Sequence, residues 1–313
     1  MSHESDLHVV LGASGGAGSA IVRALLKRGK TVRAVSRDAT SRPEMNDAEW
    51  VAADARDADQ LRQACRNAAV IYHAVNVPYP AWPEVLPAVM EGAIAAAASG
   101  SRLVYVDNLY MYGPVSLPMH EDLPAAARTR KGRLRAELAA RLLAAQREGR
   151  IQAAIGRCSD FYGPAVTSAV SETIFPAVLA GKTARWFGNL DQPHSLSFID
   201  DAAGAFVTLG EDQRSLGEVW HLPVAEPLTG RMFVDLASEV AGTRARPASL
   251  STWAIRLAGV VNPLAREMVE LTYQFEWPFV VNDSKFRRTF GGNSTPYPEA
   301  IARTLAWYRQ RAG

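Results

Sequence analysis

Cysteine is scarce in this chain: Cys65 and Cys158 are the two in 313 residues. They stand far apart and match no metal-ligand spacing, which argues against a zinc or cluster scaffold and a disulfide-stapled fold, so buried reduced thiols and no metal site are expected. Charge of one sign is also missing. With 34 basic and 32 acidic residues, a net charge of +2 and no long block of either sign, the sequence lacks the footprint of a nucleic-acid binder. No apolar run is long enough to span a bilayer, and Met1–Asp6 is polar without a signal core, so no membrane association and a cytoplasmic location are expected. Repeats and low-complexity linkers are absent too. What remains is an ordinary globular composition, 48% hydrophobic, in a chain long enough for one large domain with a smaller lobe.

The informative segment comes early. The apolar run Leu7-His8-Val9-Val10-Leu11 leads into Gly12-Ala13-Ser14-Gly15-Gly16-Ala17-Gly18, and then into the helix-like Ser19-Ala20-Ile21-Val22-Arg23-Ala24-Leu25-Leu26. A strand that ends in spaced glycines and turns into a helix presents free N–H groups and a positive dipole end, which suit a pyrophosphate. Gly12 permits the tight turn, Gly15 the approach of phosphate, and Gly18 close packing of the helix.

The rest of the first half alternates strands and helices. Thr31–Ser36, Trp50–Ala53, Ala69–Tyr72, Arg102–Val106 and Ile151–Ile155 read as further strands, with helix-like stretches at Asp57–Asn67, Pro83–Ala98 and Thr129–Glu148. That alternation implies an α/β fold with right-handed crossovers and a doubly wound parallel sheet of Rossmann type. The expected division is a dinucleotide-binding domain over 1–157 with a returning segment at about 197–222, and a substrate-binding lobe with a terminal helix over 158–196 and 223–313. Ligands then sit at the carboxyl ends of the strands, where loop residues carry the chemistry. The second strand ends in Ser36-Arg37-Asp38; a small polar residue followed by Arg favours the 2′-phosphate of NADP, while Asp38 leaves a ribose contact, and hence NAD, open.

With these segments, the chain resembles the extended short-chain dehydrogenase/reductase group, the NAD(P)-dependent epimerase/dehydratase family. The resemblance rests on Gly12–Gly18, on Asp54 followed by Ala55 after strand three, and on Val70-Ile71-Tyr72-His73-Ala74-Val75-Asn76. It continues through Val104-Tyr105-Val106-Asp107-Asn108-Leu109-Tyr110-Met111-Tyr112-Gly113, Gly156-Arg157-Cys158-Ser159-Asp160-Phe161-Tyr162-Gly163-Pro164 and Ser197-Phe198-Ile199-Asp200-Asp201. It implies a cofactor site of Gly12, Ser14, Gly15, Gly16, Ala17, Gly18, Ser36, Arg37, Asp54, Ala55, Ala74, Val75 and Asn76, with His73 lining the cleft or simply satisfied in the core.

The same resemblance exposes a gap. The family transfers hydride with a Tyr and a Lys four residues apart on one helix face, plus a Ser or Thr at the end of strand five. None of the nine tyrosines here has Lys four places downstream, and Asn108 holds the Ser/Thr place. Two registers fit the helix: Thr129 with Arg133, or Lys131 with Arg135. Both keep a cationic group on one helical face, and a solvated charge ladder of Arg133, Glu137 and Arg141 is the plainer reading. The proton donor must then come from elsewhere, and Tyr110 is the first candidate, with Asn108 orienting a carbonyl. The candidate catalytic set is therefore Asn108, Tyr110, Lys131 and Arg133; Tyr112 and Tyr162 read as packing residues.

In the second lobe, Trp186 and Phe187 fit either stacking on a substrate ring or an edge strand, and His194 either a polar contact or a turn. Tyr273–Phe279 is an aromatic cluster that closes over a pocket or packs cap to core. Asp283 reads as an N-cap, and Ala300–Arg309 reads as a terminal helix docking on the sheet. The expected function is that of an NADP-dependent oxidoreductase or epimerase/dehydratase on a small organic substrate. The alternative is a non-catalytic dinucleotide sensor or scaffold. Small residues at Ala95–Ala98 and Ala139-Ala140 allow a homodimer through the two long helices.

Overall fold

The computed structural model describes residues 6–116 and 118–312. In chain order its first half comprises β1 Leu7–Leu11, α1 Gly16–Lys27, β2 Thr31–Ser36, β3 Glu49–Ala52, α2 Ala58–Ala64, β4 Val70–His73, α3 Trp82–Ala97, β5 Arg102–Asn108, α4 Arg130–Arg147 and β6 Gln152–Cys158. The second half comprises β7 Asp160–Tyr162, α5 Ala169–Leu179, β8 Thr183–Phe187, β9 Pro193–His194, β10 Leu196–Phe198, α6 Ile199–Glu211 and β11 Val219–His221. It ends with β12 Leu228–Thr229, α7 Gly230–Ala241, β13 Arg246–Leu250, α8 Thr252–Ala258, α9 Pro263–Val269, α10 Tyr273–Glu276, α11 Ser284–Phe290 and α12 Tyr297–Ala312.

The chain divides into two units: residues 1–108, 134–157 and 202–222, and residues 109–133, 158–201 and 223–313. The first is built on a seven-stranded sheet of order β11-β6-β5-β4-β1-β2-β3. Val9 pairs with Arg33 on one side of β1 and with Ile71 on the other, all parallel. Strands this apolar are buried on both faces: Val9, Val10, Leu11, Ile71 and Tyr72 are fully buried. Because β2 and β3 lie to one side of β1 and β4 to the other, the connections from β1 and β4 leave in opposite directions and open a crevice at their carboxyl ends. Helix boundaries follow local chemistry. Asp57 caps α2 by accepting from the N–H groups of Asp59 and Gln60, and Ser168 caps α5 through Ser171 N–H.

The second unit carries three two-stranded pairs, β7 with β10, β9 with β12, and β8 with β13. Its core gathers Tyr162, Phe175, Trp186, Phe233, Ile301 and Leu305. Tyr162 packs edge-on against Phe233 at 5.4 Å between ring centroids, which gives it the packing role its motif implies. Trp186, 1% exposed, belongs to this core rather than to any surface that a substrate ring could reach. Two expectations change here. The terminal helix α12 docks on α5 and α7 of this unit, not on the seven-stranded sheet, because Ile301, Leu305 and Tyr308 face the aromatic core. Asp283 precedes α11 but makes no cap bond; its carboxylate accepts from Val224 N–H at 2.9 Å and from Arg287 Nε at 2.9 Å, a longer-range use that outcompetes the cap.

The docking of α12 is testable. Leu305 is completely buried, so Leu305→Ala is expected to cost about 2–5 kcal/mol through lost transfer energy and the cavity left behind. A thermal melt should drop by several degrees, and an unchanged midpoint would contradict the packing described.

Candidate active site

The turn between β1 and α1 is held by its own backbone. Gly12 and Ala13 N–H both donate to Val35 O at 3.0 Å, fixing the loop to the end of β2. Gly12 has φ +79°, and a Cβ there would lie 2.8 Å from Ala74 O. A Cβ on Gly18 would come within 2.1 Å of Gly12 O, whereas one on Gly15 would meet nothing nearer than 3.3 Å. Gly12 and Gly18 are therefore demanded by the protein's own packing, while the space beside Gly15 is open to a ligand. Helix α1 begins with no side-chain cap and no acidic residue in its first turn. Its leading amides and dipole thus fit a diphosphate, and the residues present suit a dinucleotide.

At the tip of β2, Ser36 is buried and donates to Asp38 Oδ1 at 3.1 Å. Thr40 N–H joins this bond, and together they hold the Asp38 carboxyl below its ordinary range. Arg37 is exposed, and Arg42 donates to Ser14 O at 2.5 Å. Ser14, Arg37 and Asp38 line a cleft of about 290 Å³. Asp54 is gripped in both oxygens by Arg56, which draws its pKa down to about 2, and its N–H donates to Gln60 Oε1. Ala55 follows it half-buried. Beyond β4, Ala74 N–H donates to Leu11 O, Val75 N–H donates to His73 Nδ1 at 3.3 Å, and Asn76 is exposed. His73 is 2% exposed, and burial together with nearby Arg135 lowers its pKa to about 3, so it stands neutral in the core.

The first turns of α4 separate the two registers. Lys131 and Arg135 are 3% and 5% exposed, while Arg133 faces solvent and Thr129 uses its hydroxyl to accept from Gly132 N–H. The structure brings Lys131 and Arg135 together on the buried face. Between them Gly132 packs closely, since a Cβ there would sit 2.5 Å from Tyr110 O.

Both buried cations are then claimed by carboxylates of their own unit. In the second unit, Lys131 Nζ binds Glu267 and Glu270, and Glu270 also accepts from Arg130 N–H at 2.8 Å, satisfying an amide of the first turn of α4. In the first unit, Arg135 donates to Tyr105 Oη at 2.6 Å, lies 3.5 Å from Asp107 Oδ1, and stacks 4.4 Å over the Trp82 ring. Asp107 is 3% exposed and accepts from Arg157 Nε at 3.1 Å as well. Two arginines therefore share one buried carboxylate.

Among the remaining candidates, Asn108 ends β5 half-buried, and Tyr110 opens a short turn, Tyr110–Tyr112, in which Tyr112 is fully buried. His194 is neither exposed nor in a turn: its ring lies between Phe275 and Phe279, with Nε2 2.9 Å from Asp160 Oδ2 and Nδ1 3.2 Å from Gln274 O. Sequence reasoning passed over Arg42, Asp107 and Tyr273. No local signal marks Arg42 or Asp107, because their partners are distant in sequence; Tyr273 stood only as one ring of an aromatic cluster. Among the described residues no group of His, Cys, Asp and Glu could hold a metal ion, and no helix is long and apolar enough to cross a membrane.

The sequence profile of the NAD dependent epimerase/dehydratase family matches residues 8–222. The chain belongs to that family. No curated protein matches it. Among solved structures it is similar to gox2253, with a TM-score of 0.80 and 21% identity over 98% of each chain. It is similar to the Bordetella bronchiseptica enzyme WbmH in complex with NAD+, with a TM-score of 0.76 and 18% identity over 98% of this chain and 99% of that one. A third is UDP-glucuronic acid 4-epimerase from Bacillus cereus in complex with UDP-glucuronic acid and NAD, with a TM-score of 0.78 and 16% identity over 97% and 99%. At these identities the likeness is one of fold: the Rossmann-type sheet of this family.

Two outcomes follow for the family member described. Gly18→Ala forces a methyl group against the Gly12 carbonyl, so it should cost about 1–3 kcal/mol and erase any stabilisation by dinucleotide in a thermal melt; retention of that stabilisation would contradict the loop geometry. His73 supplies a pH dependence. Its folded pKa lies below its unfolded value, so its contribution is complete above the unfolded pKa and is lost as pH falls, because the unfolded chain gains a proton that the folded one refuses. Urea melts of the wild type should lose roughly 2–3 kcal/mol more than His73→Phe between about pH 7.5 and about pH 4.5; parallel losses would refute it.

Proposed function

We propose that the chain is an NADP-dependent enzyme of the epimerase/dehydratase family, an oxidoreductase or a transient-hydride isomerase or lyase, acting in the cytoplasm on a small organic substrate. The tip of β2 carries the cofactor choice. Arg37 and Arg42 bring two guanidinium groups to the Ser14 side of the loop against the single carboxylate of Asp38, which is already occupied by Ser36 and Thr40. A net positive edge with planar donors favours a 2′-phosphate over a ribose hydroxyl.

The dinucleotide, when bound, supplies or accepts a hydride at its nicotinamide. This chain's residues do the rest. The α1 amides hold the diphosphate, Asp54 and Ala55 border the adenine, and Ala74, Val75 and Asn76 flank the loop behind Gly12. Asn108 supports substrate orientation, since its amide both donates and accepts, but it carries no proton at neutral pH. A homodimer through α3 and α4 is part of the reading.

One observation favours a second reading, a dinucleotide sensor without turnover: Lys131 and Arg135, the two buried cations of α4, are both committed to carboxylates. Calorimetry with NADPH and NADH, followed by a carbonyl panel monitored by cofactor absorbance, separates the two. NADPH should bind at least about tenfold tighter than NADH, a difference of about 1.4 kcal/mol that Arg37→Ala/Arg42→Ala should erase. Equal affinities would overturn the NADP assignment, and tight binding without turnover would leave the sensor.

A further inference from the structure

Exposed apolar surface in the second unit is concentrated rather than scattered. Of the six large apolar side chains exposed among the described residues, four, Trp253, Leu257, Val260 and Val261, fall on α8 and the turn that leads to α9, and they are 58–85% exposed. Trp253 and Leu257 lie one helical turn apart, with Arg256 on the same side and Val260 a turn beyond. Ile255, by contrast, is buried in the core. A fifth exposed side chain, Trp277, is tied to this face: the Thr252 hydroxyl, beside Trp253, donates to the carboxylate of Glu276, beside Trp277. Contiguous exposed apolar surface of this kind marks an interaction site.

The patch is held in place from behind. Ser251 caps α8 through Ala254 N–H at 3.3 Å, and Asn262 Oδ1 accepts from Ala265 N–H at 3.2 Å where α9 begins. Arg266 donates to Gly259 O at 3.1 Å and to Val260 O at 3.3 Å, which closes the turn and brings a second guanidinium beside Val260. The charge here is one-sided. From residue 240 to residue 266 the chain has Arg244, Arg246, Arg256 and Arg266 and no Asp or Glu. All four arginines are exposed. The acids that follow are engaged, Glu267 and Glu270 by Lys131 and Glu276 by Thr252.

We propose that this face docks on an anionic membrane surface, with α8 and the turn to α9 lying on the bilayer rather than crossing it. Trp253, Leu257, Val260 and Val261 enter the boundary between headgroups and acyl chains, where indole rings and aliphatic side chains gain most, and the arginines reach the headgroup phosphates. A surface-lying element needs no spanning run. Charge decides against a second copy of the chain as the occupant, since a two-fold contact would set the arginines of one patch against those of the other. A layer of anionic headgroups over an apolar interior complements both features at once. The docking uses none of the candidate catalytic side chains and is independent of the coenzyme reading.

The test floats the full chain with phosphatidylcholine vesicles that contain about 30% phosphatidylserine, and with vesicles of phosphatidylcholine alone. The chain should partition onto the anionic vesicles at least about fivefold more strongly than onto the neutral ones, and less as salt rises from about 0.1 M to about 0.5 M. Trp253→Ala/Leu257→Ala should lower the partition coefficient at least about tenfold and Arg256→Gln about fivefold. The melting midpoint of each variant should stay unchanged, because the side chains removed are exposed. No flotation with the anionic vesicles, equal flotation with the neutral ones, or a double variant that partitions like wild type overturns the proposal. A chain that fails to float and sediments as a dimer, with the double variant a monomer, also overturns it and gives the patch to a second copy.

Discussion

The contact that everything else depends on is made by backbone alone: the first turn of α1 rests on the Gly12 carbonyl so closely that position 18 has room for a hydrogen and nothing more. That contact sets the angle at which α1 leaves the sheet, and hence where its uncapped amides point. The loop's other side is fixed by Val35, whose carbonyl takes two N–H groups, and by Ala74 behind Gly12. Three adjacent strands therefore hold one turn. An anion-binding crevice at the reversal between β1 and β4 follows from this arrangement without any side chain taking part.

Side chains decide what the rest of the family machinery has become. A buried ion pair gains little net stability because desolvation offsets attraction, while removing one partner is costly, about 3–5 kcal/mol. Two such assemblies anchor α4, one in each unit. Lys131 between Glu267 and Glu270 leaves a net negative group, whereas Asp107 between Arg135 and Arg157 leaves a net positive one. The excess positive charge is spread over the Tyr105 hydroxyl and the Trp82 face, and it accounts for part of the neutrality of His73. The buried cations of α4 thus serve as anchors for the helix.

Much of this was legible in the amino-acid order, and the limit was distance along the chain. The strands at Leu7–Leu11 and Thr31–Ser36 end where their residues predict, because a buried parallel strand is written as a short apolar run closed by turn residues. The role of Gly18 was equally readable, since it concerns the nearby Gly12 carbonyl. What could not be read joins segments far apart in the chain: Lys131 with Glu267 and Glu270, Tyr273 with Tyr110, and α12 with α5 and α7. Asp283 shows the same limit from the other side. Its local pattern spells a cap, yet Val224 N–H and Arg287 hold its carboxylate instead.

The two registers of α4 show how such an ambiguity resolves physically. Thr129 with Arg133 and Lys131 with Arg135 have the same spacing, so helical periodicity cannot choose between them. Burial makes the choice, and Gly132 fits it, having no Cβ to clash with its neighbours. Residues 131 and 135 are buried and 133 is exposed, with Lys131 bound by Glu267 on α9 and Arg135 beside Asp107 on β5.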